Sequence, residues 1–215
     1  DAVIKNLTIY KAQINTGDFT GNNAAAVVGF AYNCTGAIEN VKVTNSTINA
    51  ENVDGTGAIV GYVYGGTLKV TGCEVANTNI TGQAYVGGIV GYAGGKMTIT
   101  NSNVSGVTVE ATSCCAGGIA GILLASGEIA GAAIDNVTLS ADHKNWQNSV
   151  GAAVGCITGT ITVANVTVNG VASKDVVGAV HAEKPTTPVK KVQAYIGDVY
   201  YTTFDAAFKA AQDGD

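Results

Sequence analysis

Val86–Ala93 reads V-G-G-I-V-G-Y-A, and versions of this stretch recur along almost the whole chain. A-A-V-V-G-F occupies Ala25–Phe30, G-A-I-V-G-Y Gly57–Tyr62, G-G-I-A-G-I Gly117–Ile122 and G-A-A-V-G-C Gly151–Cys156, with a worn copy, D-V-V-G-A, at Asp175–Ala179. The closing glycines are Gly29, Gly61, Gly91, Gly121, Gly155 and Gly178, at intervals of 32, 30, 30, 34 and 23 residues. A recurrence at this period marks a repeat architecture, in which each unit buries its apolar face only against its neighbours.

A second signature lies upstream of each glycine motif. Three apolar positions stand five residues apart: Ile9/Ile14/Phe19, Val43/Ile48/Val53, Val70/Val75/Ile80, Ile99/Val104/Val109, Ile129/Ile134/Leu139 and Ile161/Val166/Val171. Leu7, Val41, Leu68 and Met97 precede the first position by two, and Thr, Ser, Asn and Lys fill the spaces. Alternation of this kind belongs to strands with one buried face, and helical periodicity is absent. Each copy therefore reads as two short strands, a variable loop and a glycine-bearing strand. The sequence predicts an all-β fold, a right-handed parallel β-helix (β-solenoid) of about six three-stranded coils over residues 1–182.

Composition agrees. Apolar residues are plentiful among the 215, charged residues make up only 13%, and β-branched side chains favour strands over disorder. The net charge is −5, and all eleven basic residues are lysines with no cluster, which excludes the phosphate-binding surface of a nucleic-acid partner. No apolar run approaches the roughly 20 residues that span a bilayer, so no membrane insertion is expected in this segment. The cysteines Cys34, Cys73, Cys114, Cys115 and Cys156 show no C-x-x-C spacing and read as small apolar strand residues rather than a disulfide framework. Adjacent Cys114 and Cys115 are expected on opposite faces of a strand, with at most one buried.

G-I-V-G at Gly88–Gly91 and G-I-A-G at Gly118–Gly121 resemble the GLUG motif of bacterial surface proteins, including adhesin-like proteins and some secreted peptidases. Ala58–Gly61 matches with Ala in the first place, whereas the copies ending at Gly29, Gly155 and Gly178 keep only the last glycine and apolar neighbours. The resemblance covers about residues 4–182. It implies an extracellular or cell-surface location in bacteria and transfers no catalytic residue, because any enzyme in such proteins is a separate domain.

Residues 183–191, E-K-P-T-T-P-V-K-K, carry both prolines and read as a linker. Residues 192–215 read as a β-hairpin around Gly197-Asp198 and an amphipathic helix with Phe204, Ala207, Phe208 and Ala211 on one face. This piece resembles the entry segment of pectate-lyase-like β-helix domains, which implies the start or remnant of a further domain in a longer multidomain chain.

Catalysis on a β-helix calls for acids on neighbouring coils of one face. Asp18, Glu51 and Glu110 are out of phase, and Asp135 has no acidic neighbour at its register. His143 and His181 have no ligand-forming neighbours at metal spacing. The chain is therefore expected to be no enzyme and to hold no cofactor or metal. Two stretches are binding candidates. The loop Ser140–Ser149 carries His143, Lys144 and the lone Trp146, which suits stacking on a sugar or anchoring a protein. On the glycine strand, if Ile59, Gly61 and Val63 point inward, then Val60, Tyr62 and Tyr64 point outward. Val28, Phe30 and Tyr32, Val90 and Tyr92, and Ile122 and Leu124 follow the same parity. With the parity reversed, the aromatics stack inside and the strip is one of small residues. The expected role is a non-catalytic adhesion, stalk or spacer module meeting a host or cell-surface protein or glycan. The alternative is a carbohydrate-binding or polysaccharide-degrading β-helix.

Overall fold

The computed structural model describes residues 2–142, 149–173 and 176–180, together with the strands Ala194–Ile196 and Val199–Tyr201. The chain winds into a parallel β-solenoid of five complete turns and a partial sixth, with no helix among the described residues. Each complete turn contributes one strand to each of five sheets, here numbered I to V, where the sequence predicts three strands per coil. In the third turn these strands are Thr67–Thr71, Glu74–Ala76, Asn79–Gly82, Tyr85–Gly87 and Val90–Ala93.

The five-residue spacing has a backbone cause. Between sheets I and II the chain turns at Asn6, Asn40, Gly72, Asn101, Gly131 and Asn165, all with positive φ. Between sheets II and III it turns at Lys11, Asn45, Asn77, Gly106 and Asn136, again with positive φ. A left-handed residue bends the chain sharply, and Asn and Gly adopt that conformation most readily. A three-residue strand core plus a two-residue corner makes five. Within a stack, an Asn can sit over a Gly: a Cβ on Gly106 would lie 2.7 Å from Asn77 Oδ1.

Registers align the apolar positions into columns. Ile4, Ile38, Val70, Ile99, Ile129 and Val163 stack in sheet I. Ile9, Val43, Val75, Val104, Ile134 and Val168 stack in sheet II, and Ile14, Ile48, Ile80, Val109 and Leu139 in sheet III. The middle turns are sealed, and the columns form one continuous core. This corrects the predicted phase. Ile9/Ile14/Phe19 and Val43/Ile48/Val53 begin one sheet late, and Ile161/Val166/Val171 begins two residues early. The step of five runs on past sheet III, as in Ile38, Val43, Ile48 and Val53, so three marks fit in two places. Phe19 and Val171 are 59% and 67% exposed.

Small polar side chains staple the corners from inside. Buried Ser102 donates its hydroxyl to Thr100 O at 3.0 Å and accepts the Cys73 N–H at 3.1 Å. Thr78 and Ser46 repeat the device one corner on: Thr78 Oγ1 donates to Ala76 O, and Ser46 Oγ donates to Thr44 O while accepting the Ala12 N–H.

The sixth turn departs from the pattern. Thr167–Val168 pairs antiparallel with Val171–Ala172, and the chain rejoins sheet V at Val177–Val180. Skipping sheets III and IV explains the short final interval of 23 residues between Gly155 and Gly178. Sheet I ends with Val199–Tyr201, antiparallel to Ile161–Ala164, and Ala194–Ile196 beyond it. The linker and the predicted C-terminal helix lie outside the described residues.

Candidate functional site

The glycine motif is a corner, not a single strand. Sheet IV runs inward through Tyr85–Gly87, turns at Gly88-Ile89, and sheet V runs out again from Val90. A Cβ on Gly88 would lie 3.2 Å from the Val104 side chain, so the corner sits deep beside sheet II. The outer sides of sheets IV and V consequently face each other. Near the corner their backbones touch: a Cβ on Gly121 would lie 2.5 Å from Val86 N and 2.7 Å from Gly91 O. Only glycine permits this approach.

Farther out, the two sheets diverge and side chains fill the gap. Tyr85 of sheet IV packs on Tyr92 of sheet V with ring centroids 5.3 Å apart. Tyr92 stacks on Tyr62 at 4.0 Å and 13°, and Tyr62 meets Phe30 at 5.8 Å. A parallel column runs beside it, Tyr32 stacked on Tyr64 at 5.4 Å and 4°. Phe30, Tyr32 and Tyr64 are 48%, 63% and 53% exposed, while Tyr62 and Tyr92 are half-buried. Burial, with Cys114, Asp54 and Tyr62 nearby, pushes the Tyr85 phenol up to about 12. Burial and the hydrogen bond with Tyr62 raise that of Tyr92 also.

The candidate aromatics Phe30, Tyr32, Tyr62, Tyr64 and Tyr92 are therefore brought together on one outer face, which settles the parity that the sequence left open. The rest of the expected parity needs correction. Val60 and Val90 are fully buried in the core and Val28 packs against it. At the corner the alternation slips. Val90 and Ala93, three apart, both join the core, while Gly91 between them lies against sheet IV. Ile122 points outward yet is buried, covered by a second apolar cluster with Cys114, Cys115, Cys156 and Ala179.

That cluster overturns the expectation for the cysteines. Cys115 of sheet IV in the fourth turn is disulfide-bonded to Cys156 of sheet V in the fifth, with Cα atoms 6.0 Å apart. Cys114 and Cys115 are both buried, and their sulfurs lie 2.8 Å apart. The strand begins only at Cys115, after a bend through Thr112–Cys114, so strand alternation does not separate the two side chains. The signal available in the sequence was Cys156 at the aromatic position of its own glycine motif. Cys34 and Cys73 stand apart, and burial raises the Cys73 thiol.

His143, Lys144 and Trp146 lie outside the described residues. The last described residue before them, Asp142, lines a shallow groove with Glu110 and Ser140. On sheet II, the neighbouring rungs Lys42 and Glu74 form an exposed ion pair at 2.8 Å, which contributes at most about 1 kcal/mol. Among the described residues, no helix is long and apolar enough to cross a membrane.

Comparison with curated proteins and with solved structures gives no match. The family model of the GLUG motif matches residues 82–110, which run from the end of sheet III in the third turn to the same sheet in the fourth. The chain thus carries the GLUG motif, and the motif's glycines form the corner at which sheets IV and V fold back on each other.

Proposed function

We propose that this chain is a non-catalytic repeat module of a secreted or cell-surface protein, serving as an adhesion, stalk or spacer segment of a longer chain. The observation that supports it is the aromatic face: Phe30, Tyr32, Tyr62, Tyr64 and Tyr92 held at strand spacing on a rigid rod. Exposed apolar strips of this kind are surfaces for contact. A protein partner fits better than a glycan. Tyr32 and Tyr64 stack on each other, so one ring face of each is no longer available to a sugar.

Beads bearing the chain, flowed over immobilised extracellular-matrix protein and over a polysaccharide panel, test the reading. Retention on protein that falls at least tenfold in Tyr32→Ser/Tyr64→Ser supports it. Release of reducing ends from a polysaccharide by the isolated chain overturns it. The groove lined by Glu110 and Asp142 favours the second reading, a carbohydrate-binding or carbohydrate-cleaving surface, which that same release would support.

A further inference from the structure

Three sulfurs converge in the cleft between sheets IV and V, and one disulfide uses only two of them. The Sγ atoms of Cys114, Cys115 and Cys156 all lie within 4.8 Å of one another, and all three residues are buried. We propose that in its reduced state the chain binds one soft metal ion, Cu(I) foremost, through these three sulfurs.

The geometry suits a trigonal site. A metal–thiolate bond of about 2.3 Å places the sulfurs of a planar set about 4 Å apart. Opening the Cys115–Cys156 pair to that separation needs side-chain rotation only, because their Cα atoms already stand 6.0 Å apart. Two of the ligands sit on strands of adjacent turns, Cys115–Gly117 and Val154–Ile157, and the third immediately precedes one of them, so the scaffold fixes all three. The donor set also selects the ion. It contains sulfur alone, and among the described residues no imidazole or carboxylate joins it. Thiolate without nitrogen or oxygen favours soft ions, and the missing fourth ligand disfavours tetrahedral zinc. Ile122, Ala179, Tyr85 and Tyr92 pack around the sulfurs and exclude water.

The cluster then has two states. In the oxidised chain Cys115 and Cys156 share the disulfide. A thiol or phosphine reductant supplies two electrons, and two protons from solvent complete the two thiols. The entering ion displaces a proton from each sulfur that binds as thiolate.

The test uses the full chain with Cys34→Ser and Cys73→Ser, so that only the cluster remains, reduced without oxygen and titrated with Cu(I) against a bathocuproine chelator. The expected result is one Cu(I) withdrawn per chain, with X-ray absorption showing three sulfurs at about 2.3 Å and no nitrogen. Cys114→Ser keeps the disulfide as a check on folding, and after reduction it should hold Cu(I) at least tenfold more weakly. Binding by Cys114→Ser equal to that of its parent overturns the proposal, as does equal binding by the urea-unfolded chain. A reduced chain that loses its β-sheet circular dichroism and does not regain it with Cu(I) overturns it also.

Discussion

Gly121 of the fourth turn rests directly on the backbone of Val86 in the third: a Cβ added to Gly121 would stand 2.5 Å from Val86 N and 2.6 Å from Tyr85 C. Both obstacles are main chain, so neither yields by rotating a side chain. Gly29, the equivalent glycine of the first turn, has only Asn23 Oδ1 within 4 Å of the same point, at 3.5 Å. The motif glycine is thus a requirement of stacking, and it applies only where a preceding turn lies beneath.

Two alanine substitutions separate these cases. Gly121→Ala is expected to lose about 3 kcal/mol or more by overpacking, or to prevent accumulation of folded chain. Gly29→Ala is expected to change stability by less than about 1 kcal/mol. Urea midpoints of the two variants decide it. Equal losses would show that the glycines serve backbone conformation instead of packing.

The corners make a second prediction. Asn77 turns the chain between sheets II and III at φ 48°. Asn77→Ala forces a Cβ into that region without a side-chain amide to compensate and is expected to cost about 1–2 kcal/mol. Asn77→Gly should be close to neutral, since Gly106 occupies the same corner in the next turn. Thermal unfolding of both variants measures the difference, and an Asn77→Gly loss as large as that of Asn77→Ala would contradict the conformational account.

Ser102 offers a third. Its hydroxyl receives the buried Cys73 N–H, so Ser102→Ala leaves that amide unpaired inside the rod. The expected loss is about 1–3 kcal/mol, with faster hydrogen exchange at the Cys73 amide as the local signature. Unchanged exchange there would argue that another acceptor takes over.

Tyr85 gives a pH dependence. An ordinary phenol ionises near 10, whereas burial holds Tyr85 protonated up to about 12 in the folded chain. Between those values the unfolded chain has lost a proton that the folded chain keeps. Stability is therefore unaffected by this group below about pH 10 and falls as pH rises from there towards about 12, with Tyr92 shifted in the same direction. The difference in absorbance at the phenolate band between the parent and Tyr85→Phe should titrate near about 12. A midpoint near 10 would place Tyr85 in water.

Much of this was legible in one dimension. The recurrence of V-G-G-I-V-G-Y-A, the five-residue columns and the Thr/Asn spacing between them determined a parallel solenoid. Alternation put Tyr62 and Tyr64 on one face of their strand, because strand parity is a local property, but whether that face turned in or out was decided by the tertiary structure. What the tertiary structure decided depends on neighbours that local order does not name. The phase of the columns was fixed only by pairing, since a five-residue ruler fits equally well one corner on; with the phase known, the Asn and Gly corners line up. Five sheets instead of three followed from the left-handed corners, which divide the column-bearing run into three strands, and from the fold-back at Gly88-Ile89, which divides the glycine strand into two. The meeting of Cys114 and Cys115 with Cys156, 41 residues beyond Cys115, was likewise decided there. The sequence holds the residues that make the corner. Only the stacking of one turn on the next shows which backbone each glycine must admit and which sulfurs the cleft brings together.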